Sequence, residues 1–117
     1  MPYVLLIHEP VGQRQVRGEA EGRVVYQRML DFSADLKARG LLLAAESLLS
    51  QDQAARVQRA GGRAQVLDGP FAEAKEMVGG FFLLDCQTRD QALASAARCP
   101  AAEWATLEVR ATGPCFF

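Results

Sequence analysis

Two side chains with acid–base capacity stand at the ends of predicted strands, His8 and Asp68. His8 is the only histidine of the 117 residues, and an imidazole changes charge near neutral pH, which suits a general acid or base. The carboxylate of Asp68 can orient such a ring or bind a substrate proton. We therefore predict His8 and Asp68 as catalytic residues that form a hydrogen-bonded pair. The alternatives are a histidine hydrogen-bonded at a strand end and an aspartate that only shapes a turn.

Six further residues are predicted to bind substrate: Glu46, Gly69, Pro70, Phe71, Phe81 and Arg110. Glu46 is a carboxylate within an otherwise apolar strand, where burial would make it an acid–base group. The alternative for Glu46 is an edge position that faces water. Arg110 suits bidentate binding of a carboxylate, or an ion pair with Glu108 or Glu46.

The run Asp68-Gly69-Pro70-Phe71 predicts an abrupt turn after an extended segment. Gly69 precedes a proline, where the right-handed helical region is disfavoured, and glycine widens the choice of backbone angles. Pro70 donates no backbone hydrogen bond, so the strand ends here. Phe71 is then expected to pack back against the sheet and to line a pocket, together with Phe81.

Composition bounds the class of protein. Half of the residues are apolar, which is enough for one domain over residues 1–117 with a core of its own. Lys and Arg number 13 and Asp and Glu 14, so the net charge of −1 argues against direct binding of nucleic acid. No apolar run approaches the ~20 residues of a membrane span, and the N-terminus has no basic region typical of a signal peptide.

The three cysteines have no CxxC spacing and predict reduced thiols in a cytoplasmic protein. The chain has too few histidines and cysteines for a transition-metal site, and it lacks a glycine-rich phosphate loop. We therefore expect no metal and no cofactor.

Hydrophobic periodicity gives the order of the elements. Strands are predicted at residues 3–8, 41–49, 55–59, 63–68, 80–86 and 106–111, helices at 19–39 and 89–98, and a mobile loop at 13–18. One buried helix face is predicted from apolar residues at helical spacing: Val25, Met29, Phe32 and Leu36.

This order predicts an α+β fold, a ferredoxin-like βαββαβ domain with an antiparallel sheet and an inserted β-hairpin. Two helices cover only one face of such a sheet. Phe81 and Leu83 point opposite to Phe82 and Leu84, yet all four are large and apolar. The second face therefore needs a partner, and we predict a homodimer formed through it.

The run Asp68-Gly69-Pro70-Phe71, with Glu73, Lys75, Glu76 and Gly79-Gly80-Phe81, resembles the signature of the DGPF family within the YCII-related group. The resemblance extends over nearly the whole chain. It implies a dimeric α/β barrel arrangement, and no settled activity. It also implies a possible His–Asp catalytic pair, as proposed for YCII-type relatives, and an association with extracytoplasmic-function sigma factors, beside which some relatives occur.

Two functions follow as hypotheses. The first is an enzyme or small-molecule binder with an acid–base pocket near the Asp-Gly-Pro-Phe loop. The second is a non-catalytic accessory module that acts with a sigma factor. A concave pocket that joins His8, Asp68 and Glu46 favours the first, whereas a filled core with these groups apart favours the second.

Overall fold

A computed structural model describes residues 2–117. The strands are β1 (Tyr3–Pro10), β2 (Leu42–Ser47), β3 (Ala55–Ala60), β4 (Arg63–Asp68), β5 (Glu76–Leu84) and β6 (Thr106–Ala111). The helices are α1 (Gln13–Arg17), α2 (Glu19–Ala38) and α3 (Arg89–Arg98). Short 3-10 segments occur at Gln51–Gln53 and Pro100–Glu103.

Four strands form the main sheet in the order β2-β5-β1-β6, with every neighbouring pair antiparallel. Strands β3 and β4, which lie between β2 and β5 in the order of the chain, form a separate two-stranded hairpin. This is the split βαβ order, in which β5 lies between β2 and β1. The predicted ferredoxin-like α+β fold with an inserted hairpin is therefore confirmed.

The core lies between one face of this sheet and helices α2 and α3. Leu5, Leu84 and Leu36 are completely buried there, and the rings of Phe32 and Phe82 meet edge to face at 5.3 Å. Edge-to-face contact is a favoured geometry because the positive edge of one ring meets the negative face of the other. The C-terminal half of α2 is thus fixed against the centre of the sheet.

The N-terminal half of α2 stands away from the sheet. Val25 and Met29 share the predicted helix face with Phe32 and Leu36, but they are only half-buried. Both line an open cleft, and Met29 also packs against the edge of the core.

The opposite face of the sheet carries no helix. Side chains alternate along a strand, so Phe82 and Leu84 enter the core while Phe81 and Leu83 lie half-buried on the uncovered face. Leu6 pairs with Phe81 and continues this apolar strip across β1.

Two sequence predictions of local structure are wrong. Residues 13–17 form helix α1 rather than a mobile loop, because Arg14 and Gln13 are tied to other elements. Strand β5 begins at Glu76 and ends at Leu84, not at residues 80 and 86, since Glu76 and Met77 already pair with Pro10 and Glu9. No helix within residues 2–117 is long and apolar enough to cross a membrane.

Candidate functional site

A cleft of about 700 Å³ separates the N-terminal half of α2 from the sheet. Helix α1 and the ends of β1, β2 and β5 border it. Its apolar wall is formed by Ile7, Val25, Met29, Leu30, Phe82 and Trp104. The size and the apolar lining are those of a small-molecule site.

A paired carboxylate lines this cleft. Glu9 is only 7% exposed, although it is charged. Arg14 donates two hydrogen bonds to it, from Nε to Oε2 at 3.0 Å and from Nη2 to Oε1 at 2.8 Å. The third nitrogen of Arg14 donates to the carbonyl oxygen of Leu48 at 2.7 Å. This bidentate arrangement satisfies the buried carboxylate and fixes its orientation.

Gly79 makes the space for that carboxylate. The pairing of β1 with β5 shifts at this point, so that Ile7 lies opposite Gly80 and His8 opposite Val78. Gly79 is the extra residue of a β-bulge. A Cβ atom on Gly79 would overlap Oε1 of Glu9 and lie 2.8 Å from its carboxyl carbon. Only glycine at this position therefore leaves Glu9 where it is.

The next glycine supports the same edge of the cleft. A Cβ atom on Gly80 would lie 2.8 Å from the carbonyl oxygen of Glu46, closer than carbon and oxygen pack. Glycine therefore lets β5 and β2 approach here. The pair Gly79-Gly80 fits a bulge and a close backbone approach.

Helix α1 brings a second cation to the cleft. Arg14 and Arg17 are three residues apart and lie on neighbouring parts of one helix surface. The guanidinium of Arg17 lies over the ring of Trp104 at 5.5 Å and donates to Oε1 of Gln13 at 3.1 Å. Gln13 in turn donates to the carbonyl oxygen of Trp104 at 2.8 Å.

Arg28 completes the surroundings of Trp104. Its guanidinium lies 5.4 Å from the centre of the ring and forms an ion pair with Glu103. The hydrogen bond with Arg28 lowers the pKa of Glu103 and raises that of Arg28. Both side chains of this pair are largely solvated, so they hold the cleft mouth only weakly.

A second cavity of about 620 Å³ borders the Asp-Gly-Pro-Phe turn. Phe71 is 6% exposed and lines it. Phe81, which was expected to line the same pocket, borders the cleft instead. The guanidinium of Arg56 lies 3.7 Å from the centre of the Phe71 ring. Arg56 also donates to Glu73 at 2.7 Å. A backbone hydrogen bond and then Arg56 lower the pKa of Glu73.

His8 lines the second cavity, but its partner is not Asp68. Its Nε2 atom lies 2.7 Å from Oε1 of Glu108 on the neighbouring strand β6. Within residues 2–117 no hydrogen bond joins His8 to Asp68, which ends the separate hairpin. The expected His8–Asp68 pair is therefore corrected to His8–Glu108. The other oxygen of Glu108 lies 3.4 Å from Nε of Arg110.

The remaining predicted residues lie on the uncovered side of the main sheet. Glu46 pairs with Phe81, and Arg110 lies on β6, with Glu46 and Arg110 exposed. Alternation places their side chains on the uncovered face, although Glu46 and Phe81 also reach the edge of the cleft. Neither cavity joins His8, Asp68 and Glu46: the cleft is lined by Glu46, the second cavity by His8, and Asp68 lines neither.

Gly69 and Pro70 shape the second cavity rather than line it. The peptide bond between them is cis, and the N–H of Gly69 donates to the carbonyl oxygen of Ala54 at 2.7 Å. A Cβ atom on Gly69 would overlap the carbonyl oxygen of Gln51. Close approach, not an unusual φ angle, therefore accounts for this glycine.

Sequence reasoning missed Glu9, Arg14, Arg17 and Gly79 as site residues. One signal was present: Leu5, Ile7 and Glu9 alternate onto the same face of β1, so that a carboxylate follows two core residues. Within residues 2–117 no group of three or more His, Cys, Asp and Glu side chains is arranged to hold a metal ion.

Comparison with known proteins gives the family and the fold. A segment of 46 residues is 46% identical to an uncharacterised protein of Rhizobium meliloti (strain 1021), and it spans 39% of this chain and 37% of that relative. Among solved structures, the chain resembles 5-chloro-2-hydroxyhydroquinone dehydrochlorinase from Burkholderia phenoliruptrix AC1100, in complex with 2,5-dihydroxybenzoquinone. That likeness has a TM-score of 0.57 and 18% identity and covers 97% of this chain and 94% of the other. At this identity it shows the fold alone.

The family model described as the YCII-related domain matches residues 1–113, almost the full length of the sequence. The match is consistent with the resemblance carried by the Asp-Gly-Pro-Phe turn and the glycine pair of β5. This chain belongs to the YCII-related domain family.

Proposed function

We propose that this protein binds a small organic molecule in the cleft beneath α2, either as an enzyme or as a binding protein. The observation that carries the proposal is the buried Glu9 carboxylate, held by Arg14 against Gly79 beside an apolar wall. A carboxylate oxygen that accepts one hydrogen bond retains a further lone pair. Glu9 can therefore accept a hydrogen bond or a proton from a bound molecule.

The structural neighbour adds support of a general kind. It is an enzyme that acts on a chlorinated hydroxyhydroquinone, and it is solved with a small hydroxylated quinone. A ligand of that size fits a cleft of about 700 Å³. The dehydrochlorination itself is not carried over to this chain.

Calorimetric titration with hydroquinone, whose two hydroxyl groups stay protonated at neutral pH and can donate to a carboxylate, tests the cleft. We expect binding by the wild type and a loss of about 10-fold to 100-fold in affinity for Glu9→Gln, the magnitude of one hydrogen bond to a charged group. Glu21→Gln is the matched control, because Glu21 is exposed on α2 and does not line the cleft. A wild type that takes up no such molecule, or equal losses in the two variants, would contradict the proposal.

His8 with Glu108 is a second candidate acid–base pair, next to the Asp-Gly-Pro-Phe turn. The specific observation is the 2.7 Å contact between Nε2 and Oε1 at the edge of the second cavity. Since Nε2 of His8 is hydrogen-bonded to Glu108, Nδ1 is the ring nitrogen that is free to exchange a proton with a substrate. Asp68 is exposed and does not line this cavity, so its catalytic role stays a prediction from the sequence.

Two side chains that each occur once in the sequence report on the two cavities separately. The chain has one histidine and one tryptophan; His8 lines the second cavity and Trp104 the cleft. A ligand in the cleft is expected to shift the NMR signal of the Trp104 indole N–H and to leave the His8 ring signals in place. The reverse pattern would move the function to the second cavity.

A homodimer through the uncovered face of the sheet is part of this proposal. Phe81 and Leu83 are half-buried on that face, with no helix above them. The radius of gyration is 16.0 Å, against roughly 13 Å for a compact chain of this length. The hairpin β3–β4 contributes to this extension, since all of its strand residues are exposed.

Sedimentation of a Leu83→Asp variant tests the dimer. The wild type is expected to sediment as a dimer at micromolar concentration, and Leu83→Asp as a monomer, because the new charge would be buried in the interface. Val24→Asp adds the same charge on the exposed side of α2 and should leave the dimer intact. A monomeric wild type would exclude this assembly.

The alternative role as an accessory module of a sigma factor, and a cytoplasmic location, stay predictions from the sequence. Co-purification with a sigma factor, by a chain that binds no small molecule, would favour the accessory role.

A further inference from the structure

One charge in the cleft has no counter-ion among the described residues. The charged residues that line it are Glu9, Arg14, Arg17, Glu19 and Glu46. Glu9 and Arg14 neutralise each other, and Glu19 forms an ion pair with Arg23 at 2.9 Å. Within residues 2–117, Arg17 has no carboxylate within ion-pair distance.

Glu46 does not supply the missing counter-charge. Its neighbour Ala45 packs against the core, so alternation turns the Glu46 side chain toward the uncovered face of the sheet. Its backbone is the part that meets β5 at the cleft edge, through the close approach to Gly80. Within residues 2–117, Arg17 is therefore a cation of the cleft that no carboxylate neutralises through an ion pair.

The guanidinium of Arg17 is held in place before any ligand arrives. Its hydrogen bond to Gln13 and its position over the Trp104 ring fix it on two sides. Gln13 is itself anchored to the backbone of Trp104. A guanidinium has five N–H donors, and one is used by Gln13, so Arg17 can still form a bidentate contact.

We infer that Arg17 is the anion-binding residue of the cleft and that the ligands are small aromatic carboxylates. The carboxylate would bind the free N–H groups of Arg17 in the planar geometry that suits this pair. The ring would pack on Met29, Phe82 and Trp104, which line the cleft. This inference rests on the proposed function and adds the chemical class of its ligand.

Benzoate and benzamide test this class, because they have nearly the same shape and differ in charge. Quenching of the single tryptophan, Trp104, reports binding. We expect benzoate to bind the wild type at least about 10-fold more tightly than benzamide, and the difference to shrink as salt is added. In Arg17→Gln the two affinities should become equal, whereas Arg17→Lys should keep part of the preference.

Arg59→Gln is the control for a general loss of positive charge. Arg59 lies on β3 of the hairpin, is exposed and does not line the cleft, so the preference for benzoate should persist. Thermal denaturation of each variant confirms that it folds.

Two failures are distinguishable. If the wild type binds none of benzoate, benzamide and hydroquinone, the proposed function itself falls. If it binds hydroquinone but not benzoate, or binds benzoate and benzamide equally, the role of Arg17 is overturned while the cleft remains a ligand site. An equal loss of preference in Arg17→Gln and Arg59→Gln overturns it as well.

Discussion

Substituting alanine for Gly79 replaces one hydrogen atom with a methyl group and should break the ion pair between Glu9 and Arg14. The added Cβ atom would overlap Oε1 of Glu9. The φ angle of Gly79 is not in the left-handed region, so the alanine backbone itself is unstrained. The whole effect is therefore expected through the displaced carboxylate.

The magnitude follows from the burial of the two partners. Separating a buried ion pair costs about 3–5 kcal/mol of unfolding free energy when one charge is left unpaired. The side chain of Glu9 is 9% exposed, but that of Arg14 is 30% exposed and keeps its bond to Leu48. We therefore expect Gly79→Ala to lower the free energy of unfolding by about 3 kcal/mol, the lower end of this range.

A double-mutant cycle isolates the cause. Glu9→Ala removes the carboxylate and should cost about 1–3 kcal/mol, since Arg14 remains partly hydrated. In that background the methyl group added at position 79 comes closest to Nη2 of Arg14, at 3.0 Å, which is the end of a flexible side chain that can shift. Gly79→Ala should then be neutral or stabilise the protein by up to about 1 kcal/mol. The coupling between positions 9 and 79 should thus be about 3 kcal/mol.

The assay is equilibrium unfolding in urea, followed by circular dichroism at a fixed protomer concentration, because a dimer makes stability depend on concentration. Gly22→Ala is the control: Gly22 lies within α2 and a Cβ atom there meets nothing within 4 Å. It should stabilise the protein by about 0.5–1 kcal/mol. If Gly79→Ala costs the same with and without Glu9, the reasoning about the bulge is refuted.

Four further predictions concern stability and reactivity. Gly69→Val should destabilise by about 1–3 kcal/mol in urea unfolding, because its side chain would collide with the carbonyl oxygen of Gln51; an unchanged midpoint would contradict this. Burial raises the pKa of Cys99 to about 11, so iodoacetamide at pH 8 should modify exposed Cys115 first. Since the folded-state pKa of Cys99 lies above its unfolded value, its stabilising contribution should decline as pH rises from about 9 to 11, and Cys99→Ala should flatten that decline. Thr88→Ala should cost about 1 kcal/mol by removing the hydrogen bond from the Gln91 N–H that caps α3.

Local patterns predicted the fold because each strand and helix carries its own periodicity. The helical spacing of apolar residues in α2 indicated a helix that packs on the sheet. The apolar residues on both faces of β5 indicated a strand that is covered on both sides. The start of β5 was misplaced because Glu76 and Met77 have no apolar alternation and are held by pairing with β1. Pairing across the sheet is a tertiary effect that a single segment does not encode.

The candidate site was harder to predict because its contacts join distant parts of the chain. Arg14 lies in a polar segment that looks mobile by composition, and it becomes ordered only through Glu9 and Leu48. His8 was predicted as a catalytic residue, with a hydrogen-bonded histidine at a strand end as the alternative. The hydrogen bond is present, but its partner Glu108 lies 100 residues away. Asp68 was predicted as the partner of His8 because it ends a strand that leads into the Asp-Gly-Pro-Phe turn. That strand belongs to the hairpin, which is separate from the main sheet.

Strand β1 links the two functional surfaces of the molecule through the alternation of its side chains. Leu5, Ile7 and Glu9 point to the helices, where the first two build the core and the third lines the cleft. Leu6 and His8 point to the uncovered face, through which the dimer is proposed to form.

Because the bulge at Gly79 lies beside the last residues of β1, a partner that orders β5 from the uncovered face would also hold the backbone against which Glu9 rests. Dimer formation should therefore tighten ligand binding in the cleft. The Leu83→Asp variant should bind hydroquinone more weakly than Val24→Asp, although neither position lines the cleft. Equal affinities of the two variants would show that the cleft forms independently of the dimer.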